Sequence, residues 1–115
     1  MTVGSWGKQS SVARAGYLSE EEVEQLSRKG AVGDLFTHVI DINGKIVDKN
    51  LDDRTVAISL DKLKDAPHRV LIAVGVSKAE GIIAALRTGV PNELITNEET
   101  VGIIRSSHPE IFNED

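Results

Sequence analysis

The sequence predicts an α/β fold: a three-layer arrangement in which a mainly parallel sheet is flanked by helices. Three observations carry that expectation. Strand-like and helix-like segments alternate along the chain, as they do when crossover helices cover a sheet. One segment, Arg69 to Val74, is continuously apolar after its first residue, the pattern of a strand covered on both faces. The aliphatic residues Val, Ile, Leu and Ala dominate while aromatics make up 3%, a composition that suits parallel strands under helices better than a stacking platform for bases.

Taken in order, residues 1–17 are rich in Gly and Ser without a clean period, which predicts a strand end followed by a loop. Ser19 then opens a helix, because Ser19 and Glu22 have the spacing of a capping box. Glu20, Glu21 and Glu22 suit the positive end of its dipole, Arg28 and Lys29 suit the negative end, and Gly30 supplies a left-handed stop. Leu35 to Ile40 and Lys45 to Val47 read as two strands of a hairpin, inserted into the parallel framework and joined at Asn43-Gly44. Thr55 to Leu60 alternates as a half-buried strand does, and a short helical turn follows from Asp61 and ends before Pro67. After the apolar strand, Gly75 breaks the run and Ser77 with Glu80 forms a second capping box. The next helix lines up Ile82, Ile83 and Leu86 and stops near Gly89. Leu94 to Thr96 is a short strand, Asn97 caps a last helix carrying Val101 and Ile104, and the tail from Glu110 is expected to fray.

The chain's 115 residues suffice for one domain or part of one, with 27% charged residues and a formal net charge of −5. An acidic chain with scattered basic residues lacks the electrostatic footprint of nucleic-acid binding, so no direct DNA contact is expected. Without cysteine there is neither a disulfide framework nor a thiolate metal site. No stretch has the length of a membrane span and no signal-peptide layout opens the chain, which points to the cytoplasm.

Chemistry concentrates in three places. Gly75 to Lys78 leads from the carboxyl end of a strand into a helix start, where open α/β sheets bind ligands and backbone N–H groups favour an anion. Lys78 at the first helical position opposes the dipole, which suggests a bound phosphate; the alternative is a solvated surface lysine. Gly30-Ala31-Val32-Gly33-Asp34 turns the backbone between small residues, and Asp34 is either an acceptor for sugar hydroxyls or a turn aspartate. Asp41, before Asn43-Gly44, begins like a calcium loop, but the later ligands do not follow, leaving a turn residue or a sugar contact. Arg54 either meets phosphate or pairs with Asp52 or Asp53. His38, His68 and His108 follow no metal-ligand spacing, and His38 reads as a packed or edge histidine. No serine stands in a nucleophile elbow. No catalytic residue, metal or cofactor is expected.

These segments, in order, resemble the sugar-binding domain of SorC-type bacterial transcriptional regulators. Val3-Gly4-Ser5-Trp6 is similar to the family's Gly-x-Gly-Ser loop, and Ala15 to Ser19 to the lead into its helix. Gly30 to Asp34 matches Gly-Ala-Val-Gly-Asp, Asp41 with Asn43-Gly44 resembles an Asp followed by a Gly turn, and Arg54 begins an Arg-x-x-x-Ile element. Gly75 and Lys78 match the end of Gly-Gly-x-x-Lys, Ala84 to Gly89 match a helix end, and Leu94 to Glu98 resemble Leu-Ile-Thr-Asp-Glu. Thr2, Val74 and Asn97 depart from the family pattern, as do His38 and Val39, where aromatics are usual. The resemblance implies a phosphosugar isomerase-like fold and a site for a phosphorylated sugar built from Gly4, Ser5, Asp34, Asp41, Arg54, Gly75 and Lys78. Family members begin with a helix-turn-helix domain and a further segment with an earlier phosphate loop, so the chain is expected to be the C-terminal part of the effector domain.

Two functions fit this reading, with a remnant kept only for oligomerisation as a third possibility. One is an effector module whose bound phosphosugar alters subunit packing and operator affinity in a full-length regulator. The other is a small sugar-phosphate isomerase or lactonase on the same scaffold. An isomerase needs a base, and only Asp34, Asp41, Glu98 or His38 could serve; none has a context that tunes it, so binding is favoured. An apolar sheet with little cover is also expected to self-associate, as a two-fold dimer.

Overall fold

The computed structural model describes residues 1–7 and 18–112. Ala15, Gly16 and Tyr17, and the tail beyond Phe112, lie outside the described residues. Five strands run β1 Val3–Ser5, β2 Ala31–Leu35, β3 His38–Asp41, β4 Val70–Ile72 and β5 Glu93–Ile95 among the described residues. Between and after them lie the helices α1 Glu20–Arg28, α2 Lys49–Asp53, α3 Leu60–Leu63, α4 Ala79–Arg87 and α5 Glu98–Ser107. Two 3-10 turns, Val76–Lys78 and Pro109–Phe112, complete the set.

The α/β class stands, but the mainly parallel sheet does not. Strands β1, β2 and β3 form an antiparallel sheet in that order, and parallel pairing is confined to β4 with β5. The two residues between β2 and β3 are too few for a parallel crossover, so that pair has to run antiparallel. Met1 links the two sheets: its ammonium donates to the Val70 carbonyl at 2.8 Å, and the Ile72 N–H donates to the Met1 carbonyl at 2.9 Å.

Leu35 to Ile40 is not one strand. Phe36 and Thr37 both take positive φ, 52° and 68°, and turn the chain so that Leu35 faces His38. Asn43-Gly44 turns it again: Gly44 N–H donates to the Asp41 carbonyl, Ile40 bridges to Ile46, and Val47 N–H donates to the Val39 carbonyl. Lys45 to Val47 thus returns along β3 through an isolated bridge instead of a full strand. That return occupies the outer edge of β3, and the alternating segment Thr55 to Leu60 forms no strand. Val56 is fully exposed, Ile58 half exposed, and Leu60 already begins α3.

Strand β4 is covered on one face only. Leu71 and Ala73 are buried, whereas Ile72 and Val74 are half exposed, as is Ile95 opposite Ile72 on β5.

Helix starts are mixed in their agreement. Ser19 and Glu22 make the expected capping box, and Asn97 caps α5 through the Thr100 N–H. Ser77 and Glu80 make none. The backbone enters α4 through the 3-10 turn after Gly75, and Lys78 sits at the cap without a side-chain bond. The Glu110 end is tied down, since Glu110 pairs with Arg87 at 2.7 Å and Phe112 lies under the Arg105 guanidinium.

Adjacent residues of β3 face opposite ways, and Val39 and Ile40 fall into different clusters. Ile40 joins Leu35, Val3 and the α4 residues Ile82 and Ile83, whereas Val39 joins Leu18, Val23 and Leu26 around α1. Helices therefore cover both faces of the antiparallel sheet. Helix α4 lies close because Gly81 meets Gly33: a Cβ built on Gly33 would stand 3.3 Å from the Gly81 Cα.

Candidate functional site

Antiparallel register sets Gly4 directly opposite Asp34 and Ser5 opposite Gly33. The Asp34 carboxylate lies over Gly4, in the space that any side chain there would need, so the glycine is required by close approach. Asp34 Oδ1 is buried and has no hydrogen-bond partner among the described residues. Burial pushes the Asp34 carboxyl above its ordinary value, and the Thr37 backbone amide and the Lys78 ammonium pull it back only in part. A buried acceptor left unmatched costs free energy.

Lys78 attracts this carboxylate without pairing with it, and the Val76–Lys78 turn that carries it packs against β1. Gly75 starts that turn at φ 122°. Its N–H donates to Thr100 Oγ1 at 3.0 Å, and that hydroxyl donates to Asn97 Oδ1 at 2.6 Å. The Gly75 amide is therefore already matched, and its contribution is the shape of the turn beneath Lys78.

Arg54 and Asp41 stand apart from this group. Asp41 pairs with Ala31 at the far end of β2, and its Oδ1 accepts from the Asn43 and Lys45 amides at 2.9 and 3.0 Å, the geometry of a turn aspartate. Arg54 ends α2, pairs with neither Asp52 nor Asp53, and touches the Asn50 carbonyl at 3.4 Å through Nε.

Two open clefts flank the Phe36-Thr37 turn. One, about 450 Å³, is lined by Met1, Thr2, Gly4, Asp34, Phe36 and Thr37. The other, about 490 Å³, runs from Leu18 and Val39 to Arg54 and Val56, and Thr37 lines both. Sequence reading missed Thr37, because Phe-Thr lacks the Asn or Gly that signals a tight turn. Among the described residues no group of His, Asp and Glu has the arrangement of a metal site.

The structure is thus an α/β scaffold with an open cleft lined by Asp34, whose Oδ1 has no partner among the described residues. Residues 1–104 match the family described as "Putative sugar-binding domain", and the chain belongs to that family. It is 35% identical over 88 residues to the sorbitol operon regulator of Klebsiella pneumoniae, covering 76% of this chain and 28% of that protein. It is 34% identical over 99 residues to the deoxyribonucleoside regulator of Bacillus subtilis, covering 86% of this chain and 31% of that one. Among solved structures, a transcriptional regulator from Streptococcus pneumoniae TIGR4 superposes with a TM-score of 0.85 at 30% identity, over 94% of this chain and 41% of that one. The full-length sorbitol operon regulator SorC superposes at 0.75 with 34% identity, over 90% of this chain and 33% of that one. The chain thus spans under a third of the curated relatives and under half of the solved chains. The SorC-type resemblance holds, and these relatives are regulators, not enzymes.

Proposed function

We propose that this chain is the effector-binding module of a bacterial transcriptional regulator, the C-terminal part of its sugar-binding domain, and that its effector is a phosphorylated sugar. The observation that carries the reading is the buried Asp34 Oδ1, without a partner among the described residues, on a carboxylate that Lys78 attracts. An ionised carboxylate only accepts hydrogen bonds, so it calls for hydroxyl donors. The lysine and the Gly75 turn supply a cation and a helix start for the phosphate. Gly4 serves the same cleft from β1, with Ser5 beside it opposite Gly33, and Arg54 serves the anion from the far side of Thr37. Asp41 is the weakest member, since its Oδ1 is engaged in its own turn.

In the regulator, ligand binding would shift the packing of a dimer and so its grip on an operator, with DNA contacted by another part of the protein, in the cytoplasm and away from any membrane. The isomerase or lactonase alternative has less support, because the relatives are regulators.

Thermal shift with pentose and hexose phosphates, each against its unphosphorylated form, tests the reading. A cognate ligand at a hundred times its dissociation constant stabilises the fold by about 2.7 kcal/mol. The phosphorylated sugar is expected to act alone, and Lys78→Ala to abolish its response. An unchanged response in that variant would remove Lys78 from the site.

A further inference from the structure

Phe36 takes no part in the packing that explains the other aromatic residues. Among the described residues Trp6 and Phe112 pack against the two apolar clusters, and Trp6 also donates through Nε1 to Ser27 Oγ at 2.8 Å. Phe36 joins neither cluster and keeps 39% of its surface exposed. Its backbone lies in the left-handed region at φ 52°, followed by Thr37 at 68°. Asn and Gly take such positions with less strain, and a polar side chain suits the exposure better. Backbone strain of this kind gathers at ligand sites, where the position of a side chain matters more than its ease.

The turn is firmly seated on both sides. Leu35 is fully buried, and His38, only 5% exposed, meets the Ile58 carbonyl at 2.7 Å through Nε2 and Asp52 Oδ1 at 2.5 Å through Nδ1. Between these anchors Phe36 lines the cleft of about 450 Å³ together with Asp34, two residues earlier in the chain. That cleft thus joins an aromatic surface to a carboxylate whose Oδ1 has no partner among the described residues.

We propose that Phe36 is a specificity-determining residue, a platform for the C–H face of a sugar ring whose rim hydroxyls donate to Asp34, and that the module takes ring-closed sugar phosphates over open-chain ones. A closed sugar ring carries C–H groups on its faces and hydroxyls around its rim. The face of an aromatic ring is negative and attracts the partly positive C–H groups, an attraction added to the burial of area. An ionised carboxylate only accepts, so it takes the rim. Small-molecule sites commonly join an apolar wall to a few polar groups in this way. An open-chain polyol phosphate has the same phosphate and no fewer hydroxyls, but it has no rigid C–H face and loses more freedom when held. The inference rests on the reading that Asp34 accepts from sugar hydroxyls, and it adds what covers the ring's face and which ligands are refused.

Titration calorimetry with pentose and hexose phosphates, each against its alditol phosphate (glucose 6-phosphate against glucitol 6-phosphate, for example), tests the preference. A ring phosphate is expected to bind more tightly than its alditol. Phe36→Leu should weaken that ring phosphate by about threefold to tenfold, leave the alditol unchanged, and so narrow the preference. Phe36→Tyr, which keeps the aromatic face, should restore it. The unliganded Phe36→Leu chain is expected to keep its Tm, since the ring belongs to neither cluster. Three results would each overturn the proposal while leaving the reading of Asp34 in place: an alditol bound as tightly as its ring form, a ring phosphate indifferent to Phe36→Leu, or a clear fall in the Tm of that unliganded variant. Failure of every sugar phosphate to bind would remove the Asp34 reading and this proposal with it.

Discussion

Replacing Asp34 by asparagine keeps the shape over Gly4 and removes the charge. A carboxyl raised in the folded state ionises first in the unfolded chain, so it disfavours folding above the unfolded value and is neutral below it. Asp34→Asn is therefore expected to raise Tm at neutral pH, with the gain vanishing below about pH 4, where the carboxyl is protonated in both states. The same variant should lose the sugar-phosphate response, since the amide presents a donor where the ligand also brings one. A Tm that falls at neutral pH would mean the Lys78 attraction outweighs burial. At this scale a fixed motif and an awkwardly placed cation singled out Asp34 and Lys78 but left two readings for each, because local features do not name a partner. The sequence was ambiguous for Asp41 and Arg54 as well, whose partners are set by turns and helix ends.

At the scale of elements, the β2–β3 hairpin carries the strain. Two residues in the left-handed region, one of them β-branched, cost about 1–2 kcal/mol each relative to residues that favour that region. Phe36→Asn with Thr37→Gly is expected to stabilise the domain by roughly 1–3 kcal/mol, because Asn-Gly suits a two-residue turn. Chemical denaturation measures the gain. Thr37 lines both clefts, so the stabilised variant should bind its sugar phosphate more weakly; unchanged affinity would separate the strain from the site. The misread strand at Thr55 to Leu60 belongs here too. Alternation reports only that a segment could pair, and the edge of β3 was already occupied by the return through Ile46.

For the whole molecule the open question is the outer face of β4 and β5, where Ile72, Val74 and Ile95 are each about half exposed. An apolar face of this kind on a short parallel sheet favours association. Sedimentation over a wide concentration range is expected to show a monomer–dimer equilibrium, shifted to monomer by Ile72→Glu with Ile95→Glu. A concentration-independent monomer would exclude this face as a self-association surface.

What the residues determine by themselves is whatever depends on near neighbours in the chain. The Ser19 and Asn97 caps, the Gly30 and Gly89 stops, the strands near 70 and 94 and the Gly-Ala-Val-Gly-Asp motif are all of this kind, since caps, turns and short periods involve interactions within a few positions. Strand direction, which face of β4 is covered, the turn at Phe36-Thr37 and the joining of His38 to Asp52 and Ile58 were decided by tertiary structure. Each depends on which surface is already occupied when a segment arrives. An apolar run does not say whether one side or both will be covered, and a buried histidine does not say which acceptors, 14 and 20 residues away, will meet its two nitrogens.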